Sequence, residues 1–223
     1  MFPVLTLIMM MFATTTAAGM DAAVRSVNLP PPPAVGAMSL EEALTQRRSV
    51  REFIPGALTL SEVSRLLWAA QGSTGSGRRT APSAGATYPL EVYLVAGNVE
   101  GLSAGVYRYL SNQHRLESVS DAEILQHMGA AALEQRWVER AAAVVVIAAV
   151  FERTTAHYGN AGERYVHMES GHAAQNLLLQ AAAIGLCVTP VGAFNDRSVS
   201  RLLQLPARQT PLYLLPVGRC APQ

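Results

Sequence analysis

The chain has 223 residues, half of them hydrophobic and only 15% charged, which excludes a disordered tail or a polar low-complexity chain because this much apolar surface can offset the ordering entropy. Seventeen Lys and Arg stand against 16 Asp and Glu, so there is no sequence-wide basic field to attract a phosphate backbone; nucleic acid is excluded as the default partner and a small molecule is expected. One domain suits this length better than two. Cys187 and Cys220 form neither a CxxC pair nor a Cys/His cluster. Neither a disulfide framework nor a metal site is indicated, and the redox compartment stays open.

Residues 1–18 carry no charged side chain, and the apolar run from Val4 to Ala13 is followed by the small-residue stretch Thr14 to Gly19. That pattern resembles an export signal with its cleavage site, placing the mature protein in the periplasm or outside the cell. The alternative is a cytoplasmic chain starting at Met20. The run is too short for a spanning helix, so no permanent membrane anchor is expected. Residues 20–38, with Pro30-Pro31-Pro32-Pro33, read as an extended lead-in, and the folded domain as 39–220.

Two capping boxes open the domain: Ser39 answered by Glu42, and Thr59 answered by Glu62. The second starts a helix with Val63, Leu66, Leu67 and Ala70 on one face, closed by Gly72. A Gly/Ser-rich loop runs to Thr87. Segments 90–95, 105–109 and 114–119 alternate and are rich in β-formers, predicting antiparallel strands with a turn at Ser111-Asn112-Gln113. Ala141–Val150 is continuously apolar, as a strand buried on both faces would be. The longest helical pattern is 162–185, closed by Gly185; a short helix around 197–205 and a strand at 212–217 follow. Helices and strands without βαβ regularity indicate an α+β fold.

Several apparent chemical motifs fail on inspection. Gly72 to Arg79 imitates a phosphate-binding loop but has Arg78 in place of Lys and follows a helix instead of a strand. Ser83 lacks the flanking glycine of a nucleophile elbow. His167, Glu169 and His172 resemble a ligand set, but His167 and His172 are five residues apart, about 140° around a helix, and cannot share one metal. Arg47-Arg48-Ser49-Val50-Arg51 is more informative. It follows a helix and, if extended, presents Arg47, Ser49 and Arg51 on one side, suiting a phosphate and an electron-rich ring. The plain alternative is that cations favour a helix C-terminus.

RRSVREF at 47–53, LLWAAQG at 66–72, APSAGATYPLEVYLV at 81–95, GVYRY at 105–109, GHAAQNLLLQAAAIGLC at 171–187, VTPVGAF at 188–194 and LLPVGR at 214–219 occur in order. Together they resemble the SagB-type, or ThcOx-type, dehydrogenase branch of the nitroreductase-like FMN-dependent flavoenzymes. The resemblance spans roughly residues 28–219. It implies an α+β, nitroreductase-like fold with a mixed central sheet flanked by helices, and a homodimer with one FMN per subunit in clefts shared between the subunits.

The resemblance also implies site roles. Arg47 and Ser49, with Arg48 between them, fall where the family holds the phosphate and ribityl side of FMN, and Arg51 falls by N1 and O2 of the ring. Pro82, Ser83, Ala84 and Gly85 match a loop that approaches the flavin of the other subunit. Pro190, Val191, Gly192 and Ala193 match the stretch facing N5 and O4, offering backbone N–H groups and little bulk; Gly192 stands where many nitroreductases carry Glu. Arg219 matches a phosphate-clamping cation. His157-Tyr158 replaces the Lys-Tyr pair of azoline oxidisers and is the candidate catalytic pair; the plain alternative is a surface dipeptide in a loop. The expected activity is hydride transfer between a small organic or peptide-derived substrate and flavin N5. The alternatives are a NAD(P)H-dependent nitro- or quinone reductase, or a catalytically idle flavin-binding partner protein.

Overall fold

A computed structural model describes residues 25–32 and 36–221. The candidate signal segment 1–19 lies outside the described residues. The elements in chain order are β1 (Ser26–Asn28), α1 (Leu40–Gln46), α2 (Leu60–Gln71), β2 (Ser73–Gly75), β3 (Arg78–Arg79), β4 (Leu90–Ala96), β5 (Gly105–Leu110), β6 (Arg115–Ser120), α3 (Leu125–Ala131), α4 (Arg136–Glu139), β7 (Ala143–Ala149), α5 (Glu152–Tyr158), α6 (Ala161–Ala183), β8 (Leu186–Val188), α7 (Asp196–Leu202) and β9 (Thr210–Arg219). A 3₁₀ turn at Ala84–Ala86 follows β3. Both capping boxes form, with Ser39 and Thr59 accepting from the backbone N–H of Glu42 and Glu62. Gly72 closes α2 through its N–H to the Trp68 carbonyl.

Seven strands make one sheet in the order β1-β6-β5-β4-β7-β9-β8. The fold is α+β as expected, but the sheet is antiparallel at every neighbouring pair and not mixed. The reason lies in the connections. β4, β5 and β6 are joined by short returns, and β9 starts beside the end of β7, with Thr210 opposite Ala149. The long path through α5, α6, β8 and α7 therefore delivers the chain to the end of the sheet it left, which sets the two strands antiparallel.

β7 is buried along its whole length and divides the core. Val145 and Ile147 pack with Leu66 and Leu67 of α2 and Leu177 of α6, whereas Val144 and Val146 pack with Met128 of α3, Val138 of α4 and Val199 of α7. The two-residue alternation of a strand thus serves helices on both faces. Each such side chain contributes about 1.5–3 kcal/mol by leaving water.

Three regions depart from the sequence-based expectation. The folded unit begins before Ser39: β1 pairs with β6, Val27 opposite Leu116, and Leu29 is buried. Beside it, the Pro30 carbonyl accepts from Ser64 Oγ and lies 3.0 Å from His114 Nε2. The Gly/Ser-rich loop contains the β2–β3 hairpin. His157 and Tyr158 end helix α5 instead of lying in a loop. α5 has no side-chain N-cap, so the local signal that revealed α1 and α2 is missing. Among the described residues no helix is long and apolar enough to cross a membrane.

Candidate functional site

Arg47 is the C-cap of α1, and the chain then runs beside β8, Val50 donating to the Val188 carbonyl at 3.1 Å. A cleft of about 100 Å³ opens there, lined by Arg47, Arg48 and Val50, by Ala181 and Ala182 near the end of α6, and by Cys187 and Cys220. The expected alternation does not hold. Arg47 caps α1 through its N–H to Ala43 and already has extended dihedrals, φ −58° and ψ 122°, but Arg48 lines the cleft with it while Ser49 and Arg51 are exposed outside its lining. Arg51 lies over the Trp137 ring of α4, 5.6 Å from its centroid, in range of a cation–π contact. Among the described residues no carboxylate pairs with Arg47, Arg48 or Arg51.

Cys187 and Cys220 are disulfide-bonded, Cα atoms 5.2 Å apart, a pairing that their spacing did not indicate and that the sequence left open. The pairing is tertiary: β8 and β9 are neighbours with Cys187 opposite Gly218, bringing two distant residues to one strand pair. The segment after β8 contains Thr189, fully buried, whose Oγ1 has no hydrogen-bond partner among the described residues. In the 190–193 stretch the supply of N–H groups is smaller than expected. Proline has no N–H, and Val191 exchanges both backbone bonds with Leu214. Gly192 and Ala193 remain, both exposed, and a Cβ placed on Gly192 would meet nothing within 4 Å.

Arg219 is engaged elsewhere. Its guanidinium donates to Glu62 at 2.6 and 2.9 Å and to the Ala57 carbonyl at 2.6 and 3.0 Å. With four of its five N–H groups bonded at the start of α2 it acts as a staple between β9 and α2 and does not line the Arg47 cleft, where a phosphate-clamping cation was expected. Burial alone would raise the Glu62 carboxyl, but Arg219 and Thr59 outweigh it and hold the group below its ordinary value.

The Pro82–Gly85 loop belongs to a second cluster. Ser83 Oγ accepts from the Tyr88 N–H at 2.9 Å, and Thr87 meets Thr154 of α5 at 2.8 Å. Arg153 of α5 donates to the Tyr88 carbonyl and to buried Glu91, which Arg108 also holds. These bonds seat α5 on the loop, so Tyr158 is close against Gly85: a Cβ there would lie 2.7 Å from the Tyr158 hydroxyl, and Gly85 has φ +58°. That is a left-handed conformation glycine adopts without cost. His157 is exposed and its ring meets Tyr158 edge-on at 4.7 Å; Tyr158 in turn meets Tyr165 at 5.2 Å. A recess of about 280 Å³ separates the loop from α6, walled by Pro82, Ser83, Ala84, Tyr165, Met168 and His172, with Glu169 at its base. Burial pushes the Glu169 carboxyl up to about 7, against the opposing pull of Ser83, Gln71 and Arg79.

The two clusters line successive stretches of α6, residues 165–172 and residues 178–182, with no lining residue in common. Their nearest members, His172 and Leu178, are six residues apart, about 9 Å at the helical rise. Residues missed in the sequence are Tyr165 and Trp137, and Glu169 figures there only as a candidate metal ligand. The stripe Tyr165, Met168, Glu169, His172 has the i, i+3, i+4, i+7 spacing of one helix face, a signal that was available. The two unopposed guanidiniums of the Arg47 cleft suit the phosphate of a flavin mononucleotide; the open space above Gly192 and the orphaned buried hydroxyl of Thr189 lie on the segment that leaves β8, beyond the lining of the cleft, and leave room and a free polar group there.

The nitroreductase family model matches residues 44–219. The chain belongs to the nitroreductase family. It is similar to protein MJ1384 of Methanocaldococcus jannaschii, which carries a nitroreductase name, with 46% identity over 84% of this chain and 94% of that protein. Its similarity to the Escherichia coli microcin B17-processing protein McbC is 32% over 68% of this chain and 58% of McbC, and upholds the SagB-type branch of the nitroreductase family. Among solved structures, a Ralstonia eutropha protein also named for nitroreductase superposes with a TM-score of 0.78 at 31% identity, covering 89% of this chain and 91% of that one. The E. coli microcin synthetase McbBCD complex with truncated pro-MccB17 bound gives 0.69 at 25%, covering 96% and 85%. Nitroreductase membership makes the protein an oxidoreductase.

Proposed function

We propose that the protein is an FMN-dependent oxidoreductase of the SagB type, moving hydride between a small organic or peptide-derived substrate and flavin N5. It works as a homodimer in which the Arg47 cleft of one subunit faces the Pro82–Gly85 loop of the other. The observation that carries this reading is that the unopposed cationic cleft and the loop–Tyr158 cluster line different stretches of α6, residues 178–182 and 165–172, and share no lining residue. Neither half is a complete site, and a two-fold copy supplies the missing one. Leu40 and Leu44 of α1 and Met168 of α6, exposed at 60, 53 and 54%, offer apolar surface for that contact.

FMN, when bound, supplies two-electron hydride chemistry at N5. Arg47 and Arg48 hold its phosphate through charge-assisted hydrogen bonds, and Ser49 stands beside them on the ribityl side. Arg51, seated on Trp137, brings positive charge to the pyrimidine end of the ring. The N–H groups of Gly192 and Ala193 and the Thr189 hydroxyl serve the opposite edge. His157 accepts the substrate proton, a role open to an exposed imidazole, and Tyr158, fixed against Gly85, orients the substrate beside it.

The likeness to McbC favours a peptide-derived substrate; the likeness to MJ1384 favours a NAD(P)H-consuming nitro- or quinone reductase. Stopped-flow reduction with NADH or NADPH separates them. The Cys187–Cys220 bond supports an oxidising compartment, and with it the export reading of residues 1–19. Purified protein should be yellow, release FMN on denaturation and scatter light as a dimer. In a substrate screen read as flavin bleaching, His157→Ala should lower kcat by about 10²–10⁴ with the flavin spectrum unchanged. A monomer that binds no flavin would overturn the reading, and turnover unaffected in both His157→Ala and Tyr158→Phe would remove the catalytic pair.

A further inference from the structure

Glu169 is a carboxylate in the middle of the longest helix, 3% exposed, with no hydrogen-bond partner for Oε1 among the described residues. Carboxylates are almost never buried without a partner. Beside it is Gln71, the last residue of α2, fully buried, whose Nε2 is also unpartnered. The Gln71 Oε1 faces Arg79 Nη1 at 3.5 Å, and the same nitrogen donates to Ser111 Oγ at 2.8 Å. On the other side is Ser83. Its Oγ accepts from Tyr88, so its own hydrogen remains to be given, and Glu169 is the acceptor it faces. A buried acceptor and a buried donor, adjacent and both unsatisfied, are retained where position or protonation is being controlled. The object above them is the Pro82–Gly85 loop with its recess.

We propose that Glu169 is a positioning residue that holds the Pro82–Gly85 loop from below through Ser83, so that the grip of the loop on what it contacts is set from inside α6. Ionised, Glu169 draws the Ser83 hydroxyl and the Gln71 amide onto itself and the loop is fixed. Protonated, it needs an acceptor of its own, Ser83 is released, and the loop loosens. The charged and titratable groups facing it are Arg79 of β3 and, from α6 itself, Tyr165 and His172; α2 presents the neutral Gln71 and the loop presents Ser83. Arg79 is permanently charged and cannot supply a transition near neutrality. Imidazole is the side chain that generally changes charge in this pH range, so His172 needs its own control. Flavin contact by the loop rests on the function proposed above; the internal hold on the loop does not.

The test is hydrogen exchange of the peptide spanning residues 82–88 in flavin-free protein, at about pH 6 and about pH 8, for wild type, Glu169→Gln and His172→Gln. Rates are corrected for intrinsic exchange by comparison with residues 125–131 on the opposite face of the sheet. Wild type and His172→Gln should gain about tenfold protection between the two pH values, as a one-unit difference in proton affinity between held and free loop requires, and Glu169→Gln should gain none. FMN affinity by fluorescence titration should tighten by a similar factor in wild type and stay flat in Glu169→Gln. A pH-independent loop in wild type, or a response lost in His172→Gln and kept in Glu169→Gln, overturns the proposal. If loop protection follows Glu169 while FMN affinity does not, Glu169 positions the loop and the loop's place in the flavin site is wrong. Should Glu169→Gln not fold, Glu169→Met carries the same comparison, and a flat wild-type response is already decisive.

Discussion

Breaking the Cys187–Cys220 bond is the perturbation whose size follows most directly from the structure. The bridge closes a loop of 33 residues, and the loss of closure entropy from the unfolded chain corresponds to about 3.7 kcal/mol at 25 °C, between the values for loops of about 15 and about 100 residues. The Cα separation of 5.2 Å lies inside the range native bridges occupy. For a domain of this size each kcal/mol moves the melting temperature by about 2–4 °C, so Cys220→Ser, or reduction of the wild type, should lower it by roughly 7–15 °C. Differential scanning calorimetry on flavin-free protein, with and without a phosphine reductant, measures this without the stabilisation that bound cofactor would add. The reduced wild type and Cys220→Ser should melt together, and reductant should leave the variant unmoved. Two titratable thiols in air-exposed wild type, or equal melting temperatures for all samples, would show that the strand pair β8–β9 is held by its ladder alone.

Arg47→Ala should weaken FMN binding by about 2–5 kcal/mol in a fluorescence titration, the penalty for truncating one partner of a buried charge pair; unchanged affinity would remove the phosphate assignment. Gly85→Ala combines φ +58° with a Cβ 2.7 Å from the Tyr158 hydroxyl; the backbone alone should cost about 1–2 kcal/mol, and a denaturant midpoint equal to wild type would mean the loop does not rest on Tyr158. Glu62→Gln should reduce stability at neutral pH without altering FMN affinity, since Arg219 is a staple and not a clamp. The Glu62 carboxyl is held below its ordinary value, so its contribution is full above the unfolded carboxylate range near about pH 4.3 and is lost as pH falls through the folded-state value. The difference from wild type should accordingly shrink in acid, and a constant difference down to about pH 2 would contradict the assignment.

What the sequence determined by itself is what short-range chemistry encodes. Ser39 with Glu42 and Thr59 with Glu62 satisfy the first N–H groups of their helices within four residues; the apolar run through Ala143–Ala149 states that both faces of its strand are buried, whereas 90–95 alternates although β4 is buried along its whole length, Glu91 being held inside by Arg108 and Arg153; and Gly185, at φ +72°, ends α6 where it must. Family motifs were legible for the same reason, as contiguous strings. α5 was missed because Phe151 supplies no cap. The rest was decided by neighbours distant in the chain. Ala149 opposite Thr210 makes the sheet antiparallel; Cys187 reaches Cys220 only because β8 lies on β9; Leu214 takes the Val191 N–H; Glu62 takes Arg219, 157 residues away; and Tyr158 meets Gly85 because Arg153 and Thr154 dock α5 on the loop. Each of these partners competes for a donor, an acceptor or a volume that the sequence leaves open, and a hydrogen bond or a packed surface can be assigned only once packing has brought the competitors together.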